Sequence, residues 1–179
     1  MQTAARRMKL LDHDQLLEYA QRALAMRALS IGQLKQKLRA RAQAESDIDP
    51  VLSVLKQAGA LNDRKFADSF AAARKTNQGF GQHRVLRDLM VKKVPSTVAR
   101  EAVREAYENT EEVDLIAQFL ARKYRGKDLK VFLEVEKNLA SAYRRLRTAG
   151  FSSSNSIKVL KRFASRAEEI EEGESEPIS

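Results

Sequence analysis

Residues 30–42 read SIGQLKQKLRARA. The apolar side chains of this run recur at steps of three and four residues, at Ile31, Leu34, Leu38 and Ala42. Such steps place side chains on one face of an α-helix, whereas a half-buried strand alternates apolar and polar residues. The cations beside this stripe are Lys35 and Arg39 on one side and Lys37 and Arg41 on the other. We therefore predict a helix over residues 31–42 with a buried seam and a basic rim.

The same periodicity extends outward in both directions. Only seven Gly and three Pro occur, and most of them lie where helices are predicted to begin or end. Asp49 and Pro50 predict an N-cap followed by proline at the first helical position, and Gly59 suits a left-handed C-terminal cap. The nine predicted helices cover residues 13–29, 31–42, 50–58, 63–76, 82–93, 97–108, 111–124, 129–148 and 154–166. The fold class predicted from this pattern is all-α.

An internal repeat links successive helices. Leu38, Leu89 and Leu146 are each followed thirteen and fourteen residues later by two apolar residues. The repeat predicts three tandem three-helix units that form an elongated, curved stack. The predicted division is a basic N-terminal extension (1–11), unit 1 (12–61), unit 2 (62–109), unit 3 (110–166) and an acidic, disordered tail (167–179).

Charge is distributed unevenly along the chain. Six of the 24 acidic residues lie in the last dozen positions, which leaves residues 1–166 with 33 basic and 18 acidic groups. A formal charge of +15 on this body favours phosphate backbones or an acidic protein surface as partner. A basic, solvated surface without any partner is the alternative. No apolar run exceeds four residues and cysteine is absent, so we expect a cytoplasmic protein without disulfides.

Few residues of the chain suit catalysis. Asp12, His13 and Asp14 form an acid and histidine cluster, for which helix capping is the predicted use because a metal would need further ligands. The run Gly79-Phe80-Gly81 is predicted to be a helix-to-helix turn, because no strand precedes it and no Gly-x-x-x-x-Gly-Lys sequence is present. We expect no enzymatic activity, no cofactor and no metal. A nuclease would require a carboxylate cluster that the sequence lacks.

Four short sequence segments occur in an order that is typical of one protein family. They are SIGQLKQKL (30–38), GALNDRKFA (59–67), GFG with RVLRDL (79–81 and 84–89) and LRTAGFS (146–152). Together they resemble the RecX family, in which a Ser then Glu-Leu-x-x-Lys-Leu helix precedes a Gly-x-Leu-x-Asp-x-x-Phe junction and a Gly-x-Gly turn. The resemblance covers about residues 16–166. This chain departs from the pattern at Gln33, at Asn62 and at Lys93-Val94-Pro95, and its acidic tail lies outside the resemblance.

The resemblance implies a fold of three tandem three-helix units and a function. A RecX-like chain is expected to be a negative modulator of the RecA recombinase. It would bind the RecA–DNA filament as a monomer and limit filament assembly, ATP hydrolysis and strand exchange. DNA itself would be bound weakly and without regard to sequence.

The basic groups beside the apolar stripes are the candidate contacts to RecA or DNA. They are Arg22, Arg27, Lys35, Lys37, Arg39, Arg41, Arg84, Arg87, Lys92, Lys93, Lys137, Arg144, Arg145 and Arg147. Such cations often cover only the edge of a core with their methylene groups. The aromatic residues Phe66, Phe70, Phe151 and Phe163 are predicted to pack in cores. An alternative function is a DNA-binding repressor in which one helix pair forms a helix-turn-helix, which predicts base-specific contacts.

Overall fold

The structure, a computed structural model, describes residues 10–164 and residue 167. Within this part of the chain lie ten α-helices: α1 (His13–Met26), α2 (Ile31–Arg39), α3 (Ile48–Gln57), α4 (Asp63–Ala73), α5 (Gln82–Val91), α6 (Ser96–Tyr107), α7 (Glu112–Lys123), α8 (Leu129–Glu134), α9 (Glu136–Ala149) and α10 (Ser153–Leu160). A 3₁₀ turn (Glu45–Asp47) precedes α3, and a π-helical turn (Arg74–Gln78) follows α4. The described residues contain one isolated bridge, Leu11 with Ala42, and no strand. The prediction of an all-α fold is confirmed.

The chain divides into two compact units. The N-terminal unit comprises Met1–Ser69 with Leu89–Ala99, and the C-terminal unit comprises Phe70–Asp88 with Arg100–Ser179. Helices α4, α5 and α6 therefore contribute residues to both units. The three tandem three-helix units inferred from the repeat differ from this division and stay a prediction.

The core of the N-terminal unit is built on the stripe that the sequence predicted. Leu34 and Leu38 are fully buried together with Leu16 of α1 and Val51 of α3. The Asp12 side chain accepts from the backbone N–H of Gln15 at 3.0 Å, which confirms the predicted capping role. These contacts fix α1, α2 and α3 around one apolar centre.

The start of α2 is held by three polar groups. Ser30 and Gln33 form a capping box, and the Ser30 hydroxyl also donates to the carbonyl of Lys92 within the same unit. The buried carboxylate of Asp63 accepts from the backbone N–H of Ile31 at 2.8 Å. Burial raises the pKa of Asp63, although the Ile31 hydrogen bond opposes this shift.

The C-terminal unit packs α7, α9 and α10 around a second core. Its centre contains Leu120, Leu146, Phe151 and Leu160, each at most 1% exposed. Backbone hydrogen bonds tie the start of α5 to the end of α9, from Gly81 N–H to the carbonyl of Ala149 at 2.9 Å and from His83 N–H to that of Gly150 at 3.3 Å. This junction places the first turns of α5 against the C-terminal end of α9.

Glycine is required where α5 meets α9. Gly150 has φ +90°, and a Cβ there would overlap the backbone nitrogen of Arg84. A Cβ at Gly81 would overlap the carbonyl of Gly150. Both glycines therefore allow the two backbones to approach closely.

Two sequence predictions about helix bounds were wrong. The predicted helix 129–148 is broken at Val135, which has extended backbone (φ −74°, ψ 115°). Leu133 and Leu139 are both buried, yet six residues apart they would lie about 120° apart around one continuous helix. The break lets both enter the core, and the Asn138 side-chain amide donates to the carbonyl of Phe132 at 3.0 Å.

The second error concerns the start of α3. Asp49 is not the N-cap, because the helix begins at Ile48 directly after the 3₁₀ turn. Pro50 is the third residue of the helix, still within the first turn, where the backbone N–H groups lack helical partners. The C-terminal end of α3 agrees with the predicted left-handed glycine, since Gly59 adopts φ +68° just beyond the helix.

Remaining differences at helix ends are small. Helices α1 and α2 each end three residues before the predicted position, and α10 ends at Leu160 instead of continuing to 166. The predicted N-terminal extension and acidic tail lie outside the described residues, apart from their innermost members at 10–11 and 167. In the part of the chain that is described, no helix has both the length and the apolar content needed to cross a membrane.

Candidate anion-binding groove

Several cations of the N-terminal unit are matched by carboxylates. Ion pairs join Arg22 to Glu18 at 2.8 Å, Lys35 to Asp49 at 2.7 Å and Arg39 to Glu45 at 3.3 Å. The hydrogen bond and the charge of Lys35 lower the pKa of Asp49. Three of the six cations predicted within residues 12–61 as partner contacts are therefore already paired within the unit.

The other three cations of this set differ in their surroundings. Arg41 lies over the ring of Tyr19, with its guanidinium carbon 5.4 Å from the ring centroid. Arg27 is exposed just after α1, and Lys37 is half-buried on α2. These side chains do not converge on a cavity described in this unit.

A groove of about 660 Å³ opens on the C-terminal unit. We call it the cationic groove. Its walls come from the turn before α5 with α5 itself, from the end of α7 and from α9, and five of its side chains are positively charged: Arg84, Arg122, Lys123, Arg144 and Arg145. The described lining includes no Asp or Glu. The groove therefore concentrates positive charge that its own walls do not neutralise.

Arg84 is fixed on the aromatic floor of the groove. Its guanidinium carbon lies 3.9 Å from the centroid of the Phe80 ring, and its Nη1 donates to the carbonyl of Thr148 at 3.3 Å. Asp88 lies 3.9 Å from Nε of Arg84 and 3.8 Å from Nε of Arg74. Arg74 also approaches the Phe80 ring, at 5.8 Å. Because Arg84 covers a face of the ring, Phe80 supports a cation at the place where a nucleobase would otherwise stack.

A hydrogen bond from Tyr107 holds the backbone of Phe80 in place. The Tyr107 hydroxyl donates to the carbonyl of Phe80 at 2.5 Å, and burial raises the pKa of that hydroxyl. Lys75 donates to the carbonyl of Ala106 at 2.7 Å and lies over the Tyr107 ring. The predicted helix-to-helix turn at 79–81 is thus confirmed, and it carries the floor of the groove.

Arg122 approaches the same turn from α7. Its Nη1 donates to the carbonyl of Asn77 at 3.4 Å. Gly79, with φ +63°, leaves space for the guanidinium, which the Cβ of any other residue would overlap. This close approach brings a cation of α7 next to the wall formed by α5.

Lys123, Arg144 and Arg145 complete the groove. Within the described residues none of the three lies within 4.0 Å of a carboxylate, so their charges face solvent. Guanidinium groups form bidentate hydrogen bonds with phosphate or carboxylate, and neighbouring cations of one sign attract such anions before contact. The arrangement suits an extended polyanion that lies along the groove.

Known proteins with related sequences share one name. The chain is 32% identical over 122 residues to the Regulatory protein RecX of Chromohalobacter salexigens, which covers 67% of this chain and 78% of that protein. The chain belongs to the RecX family. The same name belongs to a protein of Amycolatopsis mediterranei, 34% identical over 103 residues, and to one of Lactococcus lactis, 26% identical over 125 residues. This RecX chain aligns with 58% and 46% of their lengths. No family model matches it.

Solved RecX structures share the fold. The crystal structure of RecX from Lactobacillus salivarius gives a TM-score of 0.64 at 18% identity and covers 84% of this chain and 96% of that one. A second crystal structure, of regulatory protein RecX, gives 0.65 at the same identity and covers 84% and 73%. The family resemblance predicted from the four sequence segments is therefore confirmed.

The groove of this RecX chain gathers three of the cations that were predicted as partner contacts, namely Arg84, Arg144 and Arg145. It also includes Arg122 and Lys123, which sequence reasoning missed. Both lie in the last turn of α7, and the only available signal was a pair of adjacent basic residues. The association of α5, α7 and α9 joins these cations into one site.

The remaining five predicted contacts also lie outside the groove. Arg87 and Lys137 are exposed on α5 and α9, and Arg147 donates to the carbonyl of Phe151 at 2.8 Å. Lys92 and Lys93 follow α5 in the N-terminal unit, where Lys93 has φ +62° and packs against Gly32. Their role as partner contacts stays a prediction. Among the described residues, no three His, Cys, Asp or Glu side chains converge in a way that could hold a metal ion.

Proposed function

We propose that this RecX-family chain is a negative modulator of the RecA recombinase. It binds the RecA–DNA filament and limits filament assembly, ATP hydrolysis and strand exchange. Membership in the RecX family carries this proposal, since the relatives are named regulatory proteins. The activity is one of binding and not of catalysis, and it takes place in the cytoplasm, where RecA and chromosomal DNA are found.

The cationic groove is the proposed contact to the filament. DNA phosphates in the filament form an extended polyanion, which is the class of ligand that five cations attract where the described lining of the groove contains no acidic side chain. Phosphate contacts position a protein but read no bases, so DNA binding is weak and independent of sequence. The N-terminal unit contributes less attraction, because Arg22, Lys35 and Arg39 are paired with carboxylates.

Co-sedimentation tests this proposal directly. RecA filaments are assembled on single-stranded DNA with a non-hydrolysable ATP analogue, and the amount of chain that pellets is measured with and without RecA. We expect a monomer in solution that pellets with filaments formed on DNA of any sequence. Binding to one DNA sequence only, independent of RecA, would instead favour a helix-turn-helix repressor.

A further inference from the structure

The carboxyl-terminal segment of the chain carries the opposite charge to the groove. Within the predicted tail (167–179), we use the name acidic tail from here on for residues 168–179; six glutamates lie between Glu168 and Glu176, and no basic residue follows Arg166. This segment lies outside the described residues. The last residue described before it, Ala167, is fully buried in the core of the C-terminal unit. The tail therefore starts from the same unit that contains the cationic groove.

The extended tail is longer than the diameter of the unit that contains the groove. Twelve residues span up to about 40 Å when extended. A compact unit of roughly 100 residues has a radius of gyration of roughly 13 Å, which corresponds to a diameter of about 33 Å. A chain of this length extends over most of the surface of its unit.

Charge complementarity favours the groove over the paired cations of the N-terminal unit. Arg22, Lys35 and Arg39 of the N-terminal unit already have carboxylate partners. In contrast, Lys123, Arg144 and Arg145 have none among the described residues, and the described lining of the groove contains no acidic side chain. Covalent attachment through a short linker keeps a segment at a local concentration on the order of millimolar, so even weak pairing gives substantial occupancy.

We propose that the acidic tail binds in the cationic groove of its own chain and competes there with the polyanionic partner. The tail would then act as an internal brake on DNA and filament binding. Its regulatory effect rests on the proposed function, whereas the contact between tail and groove does not.

A spin label tests the contact without any partner. The chain has no cysteine, so Ser175→Cys provides a single attachment site in the tail. At 50 mM salt we expect the label to broaden the amide signals of Phe119, Ser141 and Thr148, which line the groove. Salt at 0.5 M, or replacement of the six tail glutamates by glutamine, should abolish this broadening. Absence of broadening at low salt would overturn the proposal.

A mutant cycle, in which DNA affinity is measured for tail and groove substitutions alone and combined, tests the competition between the tail and DNA. We expect replacement of the six tail glutamates by glutamine to tighten binding to a fluorescent single-stranded DNA of 30 nucleotides by about tenfold at 50 mM salt. In an Arg144→Gln/Arg145→Gln background the gain should fall below about twofold, while a Lys35→Gln/Arg39→Gln background should retain it. Equal gains in both backgrounds would show an effect of net charge alone and would refute competition in the groove. Failure of every variant to bind DNA or filament would refute the proposed function, and the spin label would still decide the contact.

Discussion

The guanidinium of Arg84 lies over the ring of Phe80, with its central carbon 3.9 Å from the ring centroid. Two hydrogen bonds keep both groups in place. The Tyr107 hydroxyl donates to the carbonyl of Phe80, and Arg84 donates to the carbonyl of Thr148. A cation that is held before its partner arrives loses less conformational entropy on binding. Arg84 is therefore a preorganised contact, while Arg144 and Arg145 are exposed on α9.

Arg84→Lys should weaken DNA binding even though it conserves charge. Lysine loses the planar fork and the stacking on Phe80, so we expect about threefold weaker binding to single-stranded DNA. The dependence of affinity on salt should stay unchanged, because the number of phosphate contacts is the same. Fluorescence anisotropy at several salt concentrations measures both quantities, and a shallower salt slope would contradict a role in stacking alone.

Neutralising the groove should separate binding from folding. We expect Lys123→Gln/Arg144→Gln/Arg145→Gln to weaken DNA binding roughly 30- to 100-fold at low salt and to reduce the salt slope by about 2. Stability should change little, because these side chains are exposed and unpaired in the described structure.

The matched control removes the same charge from the N-terminal unit. Arg22→Gln/Lys35→Gln/Arg39→Gln deletes three cations that are paired with carboxylates. We expect less than about a threefold change in affinity, since those cations are already partly neutralised. Equal losses in the two triple variants would show that total charge, and not the groove, determines binding.

Two glycines with similar backbone angles should respond differently to alanine. Gly150 (φ +90°) lies against the backbone of Arg84, whereas Gly126 (φ +82°) has no atom near the position of a Cβ. Gly126→Ala should cost about 1 kcal/mol, from backbone strain alone. Gly150→Ala should cost about 3 kcal/mol or more, because the α5–α9 junction must also move. Urea unfolding measures the difference, and equal losses would mean that the junction is not tightly packed.

Glu112 should make stability depend on pH. Burial acts to raise the pKa of Glu112, but hydrogen bonds from the hydroxyl and the backbone N–H of Ser152 and from Asn155 outweigh it, and the net pKa is lowered from 4.5. A carboxyl group whose pKa is lower in the folded state stabilises the fold above its unfolded pKa. This contribution is lost as the pH falls through the folded pKa.

Glu112→Gln should therefore reduce the free energy of unfolding by about 1–2 kcal/mol at pH 7. The difference from the parent chain should shrink as the pH falls below 4.5. Glu111→Gln, at the exposed neighbouring position, is the control and should change stability by less than about 0.5 kcal/mol. A difference that stays constant with pH would contradict the carboxylate as its source.

Local patterns predicted much of the fold. The stripe containing Leu34 and Leu38, the Asp12 cap and the Gly59 terminus depend on residues close in sequence, so periodicity and capping chemistry are sufficient. The break at Val135 was missed because it depends on which of Leu133 and its neighbours must enter the core. That choice depends on the whole core of the C-terminal unit, most of whose residues lie elsewhere in the sequence.

The groove was only partly predictable. Arg84, Arg144 and Arg145 were candidates because they lie beside apolar stripes, but nothing in sequence spacing relates them to Arg122 or Lys123. Similarly, the pairing of Lys35 with Asp49 is a contact between two helices and cannot be deduced from either one. Which cations remain unpaired is a property of tertiary structure.

Phosphate release by RecA on single-stranded DNA tests the central claim most directly. The parent chain is titrated into RecA, DNA and ATP, beside the groove variant Lys123→Gln/Arg144→Gln/Arg145→Gln and the control variant of the N-terminal unit. We predict that the parent and the control slow hydrolysis at similar concentrations, while the groove variant requires a concentration at least about tenfold higher. An unchanged rate with saturating parent chain would contradict negative modulation of RecA, and equal inhibition by the folded groove variant would contradict the cationic groove as the contact.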